Sequence, residues 1–183
     1  MDLADLENKI ITDEEFVFAE LEKFLVYYNL KRTMRYGFSE VNKEPGESVA
    51  EHVYGMHILT DYFLPFYPDL DIIKVKQLIT WHDMAEALVD DMITNLKTQD
   101  HKNAELRAEH KITENSGHLK ETLSDIFSEY EKQTTAEAKF VKAIDKIEPI
   151  FHMYFLAKTT DIGKKIFGSG ESSWCLSLIH IGP

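Results

Sequence analysis

Apolar residues in this 183-residue chain recur at intervals of three and four and almost never alternate, which confines it to helices. Three signatures of the form Ser/Thr-x-x-Glu mark helix starts: Thr12 with Glu15, Ser48 with Glu51, and Thr134 with Glu137. In each, the hydroxyl takes an unpaired N–H of the first turn and the glutamate reaches back to the N–H of the cap. The spacing predicts a first helix from Asp13 to about Asn29, with Val17, Leu21, Phe24 and Tyr28 inward. A second runs from about Glu47 to Phe63, with Val49, Val53, Met56, Thr60 and Phe63 on one stripe. A third runs from Asp71 to about Asp90, its stripe being Ile72, Val75, Ile79, His82, Glu86 and Val89. Residues 91–102 are polar and read as a loop, and two weaker helices follow over about 102–113 and 119–130. A late helix spans about Thr135 to Lys158, with Phe140, Ile144, Ile147 and Phe151 inward and Pro149 interrupting it. The expectation is an all-α, single-domain helical bundle over residues 1–165. Residues 166–183 open on a Gly/Ser segment and read as an irregular tail, foreign to the domain or truncated.

Charge and length narrow the partners. Lys and Arg total 20 against 32 Asp and Glu, a net charge of −12. Binding duplex nucleic acid or an anionic membrane needs a basic face, so both are disfavoured. A small phosphate ligand needs only a local cationic pocket. No apolar run approaches the roughly 18 residues that span a bilayer. The acidic start, Met1 to Glu7, lacks the basic and apolar regions of a signal peptide. The single cysteine, Cys175, excludes an internal disulfide framework. These features predict a soluble, cytoplasmic protein.

Ionisable residues interrupt faces that should be apolar. His52 shares the face of Val49 and Met56, and His82 and Glu86 lie four apart on the third stripe. Asp83 borders that stripe, and Asp145 flanks the stripe of the late helix, four after Val141. A single histidine on an apolar face is more often a hydrogen-bonded core residue, and an edge aspartate is more often solvated. Four such exceptions together are harder to explain, because buried carboxylates need partners. His52, His82, Asp83 and Asp145 make a set of two imidazoles and two carboxylates without thiolates. That set suits one divalent ion such as Mn, Co, Fe, Ni or Zn, with positions left for water or substrate.

Three segments carry a family resemblance: Glu47-Ser48-Val49-Ala50-Glu51-His52, Trp81-His82-Asp83-Met84-Ala85-Glu86, and the run from Ala136 to Asp145. Their ordered H…HD…D set resembles the HD-domain metal-dependent phosphohydrolases, in particular the small 5′-deoxynucleotidases. The resemblance runs from about Phe16 to Phe151. It implies that His52, His82, Asp83 and Asp145 are the metal ligands, that Glu86 and Asp91 are catalytic carboxylates, and that Arg35 contacts phosphate. It also implies a nucleotide substrate and a homodimer. In the family a glycine usually precedes the loop carboxylate; here that position is Asp90. A further acidic position facing the nucleoside is Glu129 or Glu131, between which spacing does not choose.

The activity implied is metal-dependent hydrolysis of deoxynucleoside 5′-monophosphates. A bound divalent ion lowers the pKa of water towards ~7 and neutralises phosphoryl oxygens. Arg35 would bind phosphate through its planar fork, Glu86 would orient a ligand or the attacking water, and Asp91 would manage the proton of the leaving group. Two alternatives remain at this point. One is another chemistry of the same superfamily, on a cyclic nucleotide, an alarmone or a nucleoside triphosphate. The other is a metal-stapled helical scaffold without catalysis.

Overall fold

Ser48 begins the helix on which the site depends. Its N–H and hydroxyl both donate to Glu51 Oε2, at 2.7 and 2.8 Å, and the Glu51 N–H donates back to Ser48 Oγ at 3.2 Å. The capping box expected there is therefore formed, and it sets His52 in the first turn. The computed structural model describes residues 2–35, 46–92 and 96–161. Its helices are α1 (Leu3–Thr12), α2 (Glu14–Tyr28), α3 (Val49–Phe63), α4 (Ile72–Trp81), α5 (Glu86–Val89), α6 (Gln99–Asn115), α7 (Lys120–Lys132) and α8 (Ala136–Thr159). The only extended pairing among the described residues is an isolated antiparallel bridge between Met34 and Ser48. The all-α class is as expected. Among the described residues no helix is long and apolar enough to cross a membrane. The tail 166–183, with Cys175, lies outside the described residues.

The chain forms two compact units, Met1–Glu51 with Thr80–Ser128 and His52–Ile79 with Glu129–Pro183. In the first, Leu30, Val49, Met84, Ala87, Ile112, Leu123 and Phe127 make the core, with Tyr27 and Trp81 packed against it. Those two rings meet edge to face, 5.2 Å between centroids. The Asn29 side-chain amide donates to the Ala87 carbonyl at 2.6 Å and ties the end of α2 to α5. In the second unit Met56, Val75, Leu78, Ile79, Val141 and Ile144 are buried. Its loop ends are pinned by the Asp71 N–H donating to Glu137 and by a Lys76–Asp61 ion pair at 2.5 Å.

Several boundaries differ from the sequence expectation. Helix α1 was not expected at all; it is capped by Asp2, whose side chain accepts the Asp5 N–H. Its presence makes Thr12 a last-turn residue, with the hydroxyl bonded to the Asn8 carbonyl, so Asp13 caps α2 instead. The late cap is Thr135, one residue beyond the expected Thr134. Leu21, Phe24 and Tyr28, expected inward, are exposed on α2, as are Ile72 and Phe151 on α4 and α8. A helix with apolar residues on several faces does not reveal by periodicity which face is covered. Pro149 does not end α8, which continues through it.

Candidate functional site

The third predicted helix breaks where its chemistry begins. After Trp81 the backbone tightens into i to i+3 bonds: Met84 N–H to Trp81 O, Glu86 N–H to Asp83 O, Ala87 N–H to Met84 O. His82 and Asp83 thus sit in a turn between α4 and α5, and Glu86 is the first residue of α5. The expectation of one continuous helix carrying His82 and Glu86 is corrected. The turn holds His82 Nε2 3.1 Å from Asp83 Oδ2.

Glu86 is 8% exposed and its carboxyl is pushed up to about 10, first by burial, then by the nearby charges of Asp83 and Asp91. Lys97 and Arg35 oppose that shift only in part. The sequence reading missed Lys97. Its ammonium sits 2.5 Å from Glu105; burial pulls its pKa down, but Glu105, Glu86 and Asp83 together hold it above the ordinary value. Arg35 is anchored by its backbone N–H, which donates to the Glu47 carbonyl at 3.0 Å, and its guanidinium lies 3.6 Å from the buried Glu47 carboxylate. The first unit therefore gathers Arg35, His82, Asp83, Glu86, Asp91 and Lys97 by distance or by mutual charge.

Asp90 stands at φ 60° and ψ 160° at the end of α5. That region is almost reserved for glycine and costs a side chain on the order of 1–3 kcal/mol. The glycine usual here in the resembling family has a physical reason. Asp90→Gly is expected to raise stability by about 1 kcal/mol, the relief of strain exceeding the added freedom of the unfolded chain. Thermal unfolding checks it, and a lower midpoint would show the Asp90 side chain to be needed.

The second unit supplies the other pair. His52 is fully buried, its Nε2 3.2 Å from Asp145 Oδ1 and its Nδ1 2.6 Å from Glu148 Oε2. Asp145 Oδ2 accepts from the Tyr130 hydroxyl and from Lys142 Nζ, both at 2.9 Å. Glu129 pairs with Lys74 at 2.8 Å and accepts from the Thr135 hydroxyl, while Glu131 is exposed. Glu148, Tyr130 and Lys142 were not foreseen. A signal for Glu148 existed, since it falls four after Ile144 and seven after Val141 on the same buried stripe. Gly55, one turn beyond His52, is matched to it: a Cβ there would stand 2.5 Å from Glu148 Oε1.

In both units an imidazole nitrogen and a carboxylate oxygen stand 3.1–3.2 Å apart. Two donors each bonded at ~2.1 Å to one ion lie about 3.0–3.4 Å apart for octahedral to tetrahedral angles. Each pair has the spacing of adjacent ligands on a single cation, so the residues fit a divalent metal.

Comparison with known proteins shows the family of the chain. A family model described as an HD domain matches residues 27–167. The 5′-deoxynucleotidase hdd1 of Schizosaccharomyces pombe is 36% identical over 132 residues, which cover 68% of this chain and 66% of that protein. The 5′-deoxynucleotidase HDDC2 of Xenopus laevis is 36% identical over 124 residues, covering 66% and 61%. The matched region is thus somewhat less than two thirds of the length of these relatives. A conserved hypothetical protein from Pyrococcus furiosus has a similar structure, with TM-score 0.64 and 26% identity over 87% of this chain and 95% of that one.

Proposed function

The chain belongs to the HD-domain family, and from that premise we propose that it is a metal-dependent phosphomonoester hydrolase acting on deoxynucleoside 5′-monophosphates. The observation that carries the reading is the pair of imidazole–carboxylate spacings, His52 with Asp145 and His82 with Asp83. We take these four residues to hold one divalent ion, Mn, Co, Fe, Ni or Zn. The relatives named as 5′-deoxynucleotidases support the substrate class.

When bound, such an ion supplies an activated water and neutralises charge on the phosphoryl group. The remaining work falls to side chains of the chain. Arg35 binds the non-bridging phosphate oxygens through its guanidinium, which its link to Glu47 holds in place. Glu86, kept protonated by burial, donates a hydrogen bond towards the attacking oxygen or a phosphate oxygen. Asp91 passes a proton to the departing nucleoside 5′-oxygen. Lys97 keeps positive charge beside Glu86 and Asp83 as substrate charge enters. A cytoplasmic homodimer completes the reading, and the apolar side chains left exposed on α2, Phe18, Leu21, Phe24 and Leu25, support a second copy as their cover.

A panel of deoxy- and ribonucleoside monophosphates and triphosphates, each with Mn, Co, Mg and Zn, tests this. Inorganic phosphate released from deoxynucleoside monophosphates is the expected result. Pyrophosphate from triphosphates would point to another chemistry of the superfamily, and no release from any nucleotide would overturn the enzymatic reading.

A further inference from the structure

Glu148 is 5% exposed, on an interior face of α8, and the roles given above to metal, phosphate and proton transfer do not use it. Its carboxylate lies 2.6 Å from His52 Nδ1. A neutral imidazole has one N–H, and a carboxylate this close to Nδ1 accepts it. The lone pair is then on Nε2, the nitrogen that faces Asp145. The ring can turn about its Cα–Cβ and Cβ–Cγ bonds, and without Glu148 the contact between Nε2 and Asp145 Oδ1 at 3.2 Å would favour the hydrogen on Nε2 instead.

The space for Glu148 is made by the absence of a side chain. A Cβ on Gly55 would meet Glu148 Oε1 at 2.5 Å and its Cδ and Cγ at 3.1 Å. Gly55 lies within α3, where glycine is about 1 kcal/mol worse than alanine. The helix bears that cost at a position where alanine would press on the carboxylate that holds His52.

We infer that Glu148 is the positioning residue for His52, fixing its tautomer and ring so that Nε2 is presented as a metal ligand, and that Gly55 is the cradle that keeps Glu148 in place. The inference rests on the proposed metal site and adds to it a pair of residues outside the ligand set. Such outer partners, when removed, typically cost 10–100-fold in metal affinity.

The test is Mn and Co affinity of the chelator-treated full chain, by competition with a fluorescent chelator, with circular dichroism to establish folding. Glu148→Ala is expected to weaken binding 10–100-fold. Glu148→Gln keeps an acceptor for the Nδ1 hydrogen and is expected to recover part of that loss. Gly55→Ala leaves every carboxylate in the chain yet is expected to weaken binding in the same direction. The double variant Gly55→Ala/Glu148→Ala should bind no more weakly than Glu148→Ala, because the methyl then has no carboxylate to displace. Wild-type affinity in folded Glu148→Gln and Gly55→Ala would overturn the inference while leaving the metal site standing, as would strict additivity in the double variant. Failure of the wild-type chain to bind either ion would overturn the metal site, and the inference with it.

Discussion

Alanine at Asp83 and alanine at Asp145 are expected to abolish the same event: the binding of one divalent ion per chain and, with it, turnover. The two aspartates belong to different units and each stands beside its own histidine, Asp83 with His82 and Asp145 with His52. If one ion draws on both pairs, removing either carboxylate leaves three donors and lowers affinity in the same titration. If each pair held its own ion, each variant would lose one of two binding events and keep the other. Calorimetric titration with Mn separates the cases by stoichiometry. The loss of rate should be large, because a Lewis acid on a phosphoryl group contributes several kcal/mol and each 1.36 kcal/mol is tenfold. A reduction of about 10³-fold or more is expected for both variants. In the metal-free state their stabilities should part. Asp145→Ala takes an acceptor from Tyr130 and Lys142 and destabilises, whereas Asp83→Ala removes a negative charge that bears on buried Glu86. Wild-type turnover in either variant would end the four-ligand assignment.

The proposed ligands were legible in the sequence for a reason that did not extend to the residues packed around them. His52 and His82 are ionisable groups on otherwise apolar stripes, and burial makes such residues anomalous whatever the details of the fold. Both prove buried, as does Glu86. Val49, Met56, Val75 and Ile79 likewise followed from the helical period and are fully buried. Glu148 obeyed the same rule on α8 but was hidden beside Asp145, three residues earlier, which already accounted for the acidic character of that turn. Lys97 could not be read at all, since it lies in an irregular segment where no period assigns a face. The break after Trp81 was equally hidden. The apolar pattern continues through Ala85, Ala87 and Val89 although the backbone has changed to i to i+3 bonding, because a tightened turn carries almost the same spacing as the helix. On α2 the period failed for the opposite reason. Phe16, Val17, Phe18, Leu21, Phe24, Leu25, Val26 and Tyr27 leave few polar positions to mark an outer face, and the covered side includes Val26 and Tyr27 rather than Leu21 and Phe24.

Glu86→Gln is expected to separate function from stability by moving them in opposite directions. The amide keeps the size of the side chain, but its N–H donates a longer and weaker hydrogen bond than a carboxylic O–H, so the oxygen that Glu86 steadies is held less well and turnover should fall by about tenfold or more. Folding responds with the reverse sign. In the folded chain the Glu86 carboxyl is raised from 4.5 to about 10, chiefly by burial and then by Asp83 and Asp91. A raised pKa favours the protonated form on folding. Its contribution is therefore fully present below the ordinary carboxyl value and is lost as pH climbs towards 10. Metal-free wild-type protein should lose stability between pH 5 and pH 9 by this route, because folding must either keep a proton that the unfolded chain has released or bury a charge. Glutamine removes that penalty. At pH 8 the metal-free variant should be the more stable by on the order of 2 kcal/mol, or ~5 °C in Tm for a chain of this length. At pH 4.5 the difference should nearly vanish. Thermal melts across that pH range, beside turnover at saturating metal, measure both effects on one sample. A variant that melts lower than wild type at every pH would assign Glu86 a packing role and remove it from the chemistry. A variant that gains stability at alkaline pH while losing turnover would show that the carboxyl is held buried, against the preference of the fold, for the reaction.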